Sequence, residues 1–124
     1  MLHKSHWSAH LRGRPKQRGE MNKLESAWAA ELETRRLAGE LLWWRYEAAT
    51  LKLTEKTPGG KPGIRYTPDF LVMLPDGLLE CHEVKGFAAP VDLNRLKLAA
   101  DIFPCRFLLV RRGKKNSGWQ TEEF

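Results

Sequence analysis

Glu83 and Lys85 stand two residues apart in ECHEVKG, residues 80–86, at the end of an apolar run. On a strand that spacing puts both side chains on one face. Just upstream, FLVMLPDGLL reads as two buried strands joined by a turn. In LPDG, Pro holds the second position and Gly the fourth. That suits a type I turn followed by a left-handed glycine, a three-residue hairpin loop. Leu74 then faces Leu78, and Asp69 stands opposite Glu83. A two-residue loop at Asp76-Gly77 would shift the pairing by one, and the Pro and Gly positions favour the first register. Opposed carboxylates have Cβ atoms about 5 Å apart, and like charges there destabilise a sheet. One of them must take up a proton, or a cation must sit between them. Lys85 projects from the same face, roughly 6.6 Å along the strand. Two hard oxygen donors beside one ammonium can hold Mg2+, which binds a phosphate oxygen and lowers the pKa of a water. The lysine can orient that water or offset charge on the phosphorane. The plain alternative is a surface salt bridge between Lys85 and Asp69 or Glu83.

A further carboxylate comes from the first predicted helix. Glu25 shares a helical side with Trp28, Ala29 and Leu32. A Glu bordering a buried face needs a partner. It either lays its stem along the core edge or points over the sheet toward the metal site. Glu47, in WWRYEA, is a third candidate. Glu80 and His82 have the opposite strand parity to Glu83, so CHE is not a metal cluster. Pro75-Asp76 lies in the turn and has no chemical role.

The elements that must position these groups follow from pattern. A helix is expected from about Asn22 to Ala38, with Asn22 as N-cap, Gly39 as stop and Leu24, Trp28 and Leu32 as the apolar stripe. Glu31 and Arg35 form an i,i+4 pair on another side. LLWWRYEAATLKL, 41–53, reads as one long or broken strand, and 54–63 as a loop. Strands follow near 66–74 and 78–84. VDLNRLKLAADIF then gives a helix with Leu93, Leu96, Ala100 and Phe103 on one face, Asp92 near its start and Pro104 at its end. RFLLVRR, 106–112, is a buried strand, GKKNSG a turn and WQTEEF a short edge strand. The order α-β-β-β-α-β, with a last strand, predicts an α/β fold: a mixed sheet flanked by helices.

The chain has 124 residues, 42% of them hydrophobic and 10% aromatic, which suffices for one core. No apolar run approaches the roughly 18 residues of a membrane span, and no signal-peptide pattern opens the chain, so a soluble, intracellular protein without a membrane partner is expected. Cys81 and Cys105 are too few for a disulfide framework and read as buried thiols. The formal charge is +6 and the pI about 9.6, which points to a polyanion, usually nucleic acid. Charge is concentrated at the front. Lys4, Arg12, Arg14, Lys16 and Arg18 precede the first acid, Glu20. Residues 1–20 therefore read as a flexible basic arm that lies along DNA phosphates, and 21–124 as the folded domain. Arg95 and Lys97 on the second helix are further candidates for DNA contact. His3, His6 and His10 lack a Cys or carboxylate partner, so they read as a polar tail. Trp28, Trp43 and Trp44 fit the core, which leaves Trp7 and Trp119 for stacking on bases.

Pro68-Asp69 and Glu83-Val84-Lys85, in this order and on these elements, resemble the two half-motifs of the PD-(D/E)xK nuclease superfamily. YTPDFLV, EVKGF and GWQTEEF further resemble a small phage-encoded nuclease-like family related to phage endonuclease I, the junction-resolving enzyme. The likeness covers about residues 22–124. It implies a restriction-endonuclease-like core and a Mg2+-dependent DNA endonuclease, with Mn2+ as substitute metal. Asp69 and Glu83 would be metal ligands, Lys85 the catalytic lysine and Glu25 the helix-borne acid and further ligand. It also implies branched or junction DNA as substrate, a homodimer and, for a phage-encoded chain, the cytoplasm of a bacterial host. The family pattern has another acid near Arg45 and Glu47; Arg45 falls on that position and Glu47 two places later. Two other readings stay open. One is a DNA-binding or partner-binding module that keeps the fold without cleavage, in a phage recombination, packaging or anti-defence complex. The other, an RNA-binding protein, has only the charge in its favour.

Overall fold

The computed structural model describes residues 19–124. Helix α1 spans Lys23–Leu37 and opens on a reciprocal cap. The Asn22 side chain accepts from the Glu25 N–H, and the Glu25 carboxylate accepts from the Asn22 N–H. Beyond the C-cap Ala38, Gly39 takes the left-handed φ of 83° that a side chain resists. Trp28, Ala29 and Leu32 form the buried stripe, with Leu24 at its margin.

Strands β1 (Trp43–Tyr46) and β2 (Leu51–Lys52) confirm a broken rather than continuous strand over 41–53. The break begins at Glu47, whose φ of 46° leaves the extended region. The single strand expected over 66–74 is two, β3 (Arg65–Tyr66) and β4 (Phe70–Met73). Pro68 lies between them and has no N–H for a ladder. Among the described residues, strand β2 pairs only with β3, in a separate two-stranded sheet. Strand β5 (Leu79–Lys85), helix α2 (Leu93–Ile102), strand β6 (Arg106–Arg112), a 3-10 turn at 114–116 and strand β7 (Trp119–Glu123) complete the order.

The main sheet runs β1-β4-β5-β6-β7. Only β5 and β6 are parallel, joined by the crossover through α2, so the sheet is mixed. Residue parity assigns each helix a face. Phe70, Val72, Val84, Leu108 and Val110 pack with Trp28 and Leu32 of α1. Cys81, Phe107 and Leu109 point the other way and pack with Leu96 and Ala99 of α2. The described residues thus form an α/β fold, with a mixed five-stranded sheet between two helices. Helix α2 buries Leu96 and Ala99, whereas Leu93, expected on that face, lies in the first turn and is 43% exposed. Both cysteines are free; Cys81 is buried and Cys105 half-buried. Among the described residues, no helix is long and apolar enough to cross a membrane.

Candidate active site

The β4–β5 hairpin has the register that Pro75 and Gly77 predict. Phe70 pairs with His82 and Met73 with Leu79. Leu74 and Leu78 close the loop through a 2.9 Å main-chain bond, and Gly77 takes a φ of 90°. Asp69, one residue ahead of β4, therefore meets β5 beside Glu83. Its Oδ2 accepts from the Val84 N–H at 2.8 Å. Lys85 Nζ stands 3.3 Å from Glu83 Oε2, so the two share a face as their spacing requires. Glu83 Oε1 accepts from the Tyr66 hydroxyl at 2.9 Å. Arg111, the cross-strand partner of Lys85, donates from Nη1 to the carbonyls of Gly86 and Ala89 and holds the loop that follows the lysine.

Glu25 joins the cluster from the α1 side. It is 3% exposed, and besides capping its helix its Oε1 accepts from the Tyr46 hydroxyl at 2.9 Å. Tyr46 packs within the α1-side core and Tyr66 within the α2-side core. Asp69 acts on both. Burial, then the charge of Glu25, pushes the Tyr46 phenol far above its ordinary 10, with Glu47 and Asp69 adding to the effect. Burial, then Glu83, pushes Tyr66 up likewise, again with Asp69 contributing. Both hydroxyls therefore remain donors at neutral pH, each pinned to a carboxylate. The result is a row of acids that wraps the sheet end: Glu25 and Glu47 with Tyr46 on one side, Glu83 with Tyr66 on the other, and Asp69 between.

Between Arg45 and Glu47, geometry brings the second into the cluster. Arg45 is exposed and lies 5.8 Å over the Trp43 ring. The Glu47 N–H donates to the Asp69 carbonyl at 2.9 Å, and its Oε1 accepts from the Gly19 N–H at 3.0 Å. Its left-handed backbone is a costly conformation for a residue with a side chain. Gly19 and the buried Glu20, assigned by composition to the arm, rest on this same site, where the Glu20 carbonyl accepts from Tyr46.

Glu80 and His82 face away from the cluster, as their parity dictates. The Trp28 indole N–H donates to His82 Nδ1 at 3.1 Å, so the ring hydrogen lies on Nε2 and faces Glu80 Oε1 at 3.0 Å. Arg95 lies on α2 beside Asp92, and Lys97 is exposed there. Among the described residues neither contacts the cluster. Trp119, offered above for base stacking, is half-buried against Trp28, with ring centroids 4.8 Å apart, and lies under Arg112. Lys4, Arg12, Arg14, Lys16, Arg18 and Trp7 lie outside the described residues.

The donors of the cluster suit Mg2+ in kind, being hard carboxylate oxygens without thiol or imidazole. Among the described residues no group of three His, Cys, Asp or Glu side chains stands in position to hold a metal ion. A Mg2+ ion commonly takes only one or two carboxylates and completes its shell with water and phosphate, which a two-carboxylate pair satisfies. Compared with known proteins, the chain matches no family model, no curated protein and no solved structure.

Proposed function

We propose that the chain is a Mg2+-dependent endonuclease of the PD-(D/E)xK type, with a restriction-endonuclease-like core, acting on DNA. The observation that carries this reading is the junction of Asp69, Glu83 and Lys85 at one sheet end. Asp69 accepts from the Val84 N–H beside Glu83, Glu83 accepts from the Tyr66 hydroxyl, and an ammonium stands 3.3 Å from Glu83. Asp69 and Glu83 would hold the metal, with Glu25 and Glu47 at its margin. Bound there, Mg2+ supplies Lewis acidity toward a phosphate oxygen and a more acidic water. The chain's own groups do the rest. Lys85 offers a compact positive charge to the phosphate and can orient the attacking water. Tyr66 and the Val84 N–H fix the two carboxylates, so the donors need no rearrangement when substrate arrives. The basic balance supplies affinity for phosphates, and residues 1–18 carry five of its cations. On the family resemblance, the preferred substrate is branched DNA, the active form a homodimer and the setting a phage-infected bacterial cytoplasm.

A non-cleaving DNA-binding module is the second reading. It is favoured by the protein hydrogen bond that Asp69, Glu83 and Glu25 each accept, which gives these acids a structural use. A cleavage panel separates the two: linear duplex, single strand, flap and four-way junction, each with Mg2+ and with EDTA. The nuclease reading expects Mg2+-dependent nicking on at least one substrate, lost in Asp69→Asn. Uncut DNA in every lane, with binding retained, would leave the module.

A further inference from the structure

Beside the carboxylate cluster, β2, β3 and the loop between them form a small hairpin with an unusual charge arrangement. Its strand pairs alternate in character. Leu51 faces Tyr66 on the inner side, and Lys52 faces Arg65 on the outer side. Two cations directly opposite destabilise a strand pair. Glu55 offsets one of them, lying 3.1 Å from Lys52 Nζ. Among the described residues, no carboxylate pairs with Arg65, Lys56 or Lys61, and all three are exposed. The hairpin from 51 to 66 thus sets Lys52, Lys56, Lys61 and Arg65 against the single acid Glu55.

The loop is built rather than loose. The Lys61 carbonyl accepts from the Thr57 N–H, the Lys61 N–H donates to Thr57 Oγ1, and the Ile64 N–H donates to Thr54 Oγ1. Gly63 passes so close to the Thr54 carbonyl that a Cβ there would lie 2.1 Å from the oxygen. This close approach helps shape a cleft of about 440 Å³ bordered by Lys52, Glu55, Lys56, Gly63 and Arg65. The inner side is tied to the site. Leu53 and Tyr66 are buried in the α2-side core, and the Tyr66 hydroxyl holds Glu83. A ligand on the outer side therefore lies one residue, Arg65 to Tyr66, from a group that positions the proposed metal ligand.

From this we infer that the β2–β3 hairpin is a phosphate-backbone arm: Lys56, Lys61 and Arg65 engage DNA phosphates flanking the bond that the carboxylate cluster addresses. The inference rests on the DNA-directed reading above. Each phosphate neutralised contributes roughly 0.9 to the slope of log K against log salt. Engagement of all three cations accounts for about 2 to 3 units.

The test uses the full-length chain and a fluorescein-labelled duplex of about twenty base pairs in EDTA, titrated at several salt concentrations. Lys56→Ala/Lys61→Ala/Arg65→Ala is expected to bind about tenfold or more weakly near physiological salt and to flatten the slope by about 2 to 3 units. Main-chain bonds at Lys61 do not involve its side chain, so the hairpin should keep its form, which a circular dichroism melt verifies. Lys114→Ala/Lys115→Gly removes charge outside the hairpin and should leave the slope unchanged. An equal loss per charge in both variants would overturn the inference. So would parallel lines for the triple variant and the wild type, while Mg2+-dependent cleavage by the wild type would keep the nuclease reading intact. A hairpin-dependent slope without any cleavage would support the arm and overturn the nuclease. Wild-type chain that binds no DNA would overturn both.

Discussion

Strand β5 carries two couples of an acid and a base at the same spacing, on opposite faces. Glu80 and His82 face α1, and Glu83 and Lys85 face the other way. By residue type and spacing the two look alike. Their surroundings differ. The His82 and Glu80 side chains are 4% and 10% exposed. Trp28 saturates the free imidazole nitrogen, and Arg106 takes the other Glu80 oxygen at 2.8 Å while also holding Glu123. That chain of bonds links α1, β5, β6 and β7 and leaves no face open to a substrate. The Lys85 and Glu83 side chains are 34% and 14% exposed, at a sheet end where further carboxylates gather. Spacing nominates a couple. Access decides whether it can meet a ligand.

The largest effect should come from the open couple. Lys85→Ala or Glu83→Gln is expected to lower single-turnover cleavage by about 10²–10³-fold at matched Mg2+, with little change in melting temperature. Near-normal turnover in either variant would break the comparison. In the sealed couple the balance should invert. His82→Leu orphans the Trp28 N–H and one contact of Glu80, at a cost of about 1–3 kcal/mol in urea unfolding. Cleavage per folded molecule should survive, and its selective loss would give His82 a chemical role.

Smaller still is the effect of the group between hairpin and site. Tyr66→Phe removes the hydroxyl that holds Glu83, and half-saturation by Mg2+ should rise about tenfold. Calorimetric titration of Mg2+ into the variant measures this apart from turnover. The smallest effect should lie far from both couples. Arg36 and then Trp44 hydrogen-bond Glu33 and lower its carboxyl from 4.5 to about 2. A depressed carboxylate stabilises the fold above its ordinary value and loses that contribution as pH falls toward the folded one. Melting temperatures of wild type and Glu33→Gln should therefore differ slightly at pH 6 and converge as pH falls from 4.5 toward 2. A gap that persists at pH 2 would show that Glu33 acts through shape rather than charge.

Much of this arrangement was legible because it is local. Pro75 and Gly77 specify their turn, and the turn dictates which residues of β4 and β5 meet. Helix α1 was marked by Asn22 and Gly39, and β6 by its unbroken apolar run. What escaped were relations between distant segments. Tyr66 and Tyr46 sit on strands that read as ordinary apolar sequence, and nothing local says that their hydroxyls reach Glu83 and Glu25. Glu47 could not be ranked above Arg45 because the two share strand parity, and nothing local says that the chain leaves the extended region at Glu47. One local signal does bear on Glu25: Asn22 followed by Glu25 is the pattern of a reciprocal cap, which gives that buried acid a structural partner. Burial of Trp119 depended on a partner far away, Trp28, and so could not be read from its own neighbourhood.

The tight turn at Pro75 also bears on the order in which the molecule assembles. In the main sheet, β4 and β5 are joined by the shortest connection. Pairing of β1 with β4 must span the whole β2–β3 excursion, and β5 reaches β6 only after α2. Loop-closure entropy favours short connections, so this hairpin and the β6–β7 pair, joined through residues 113–118, are the pairings of the sheet that close at the least entropic cost. Asp69, Glu83 and Lys85 all belong to the β4–β5 hairpin or adjoin it. The nascent chain would then bring its charged half-site together before the core that supports it, whereas Glu25 arrives only when α1 docks.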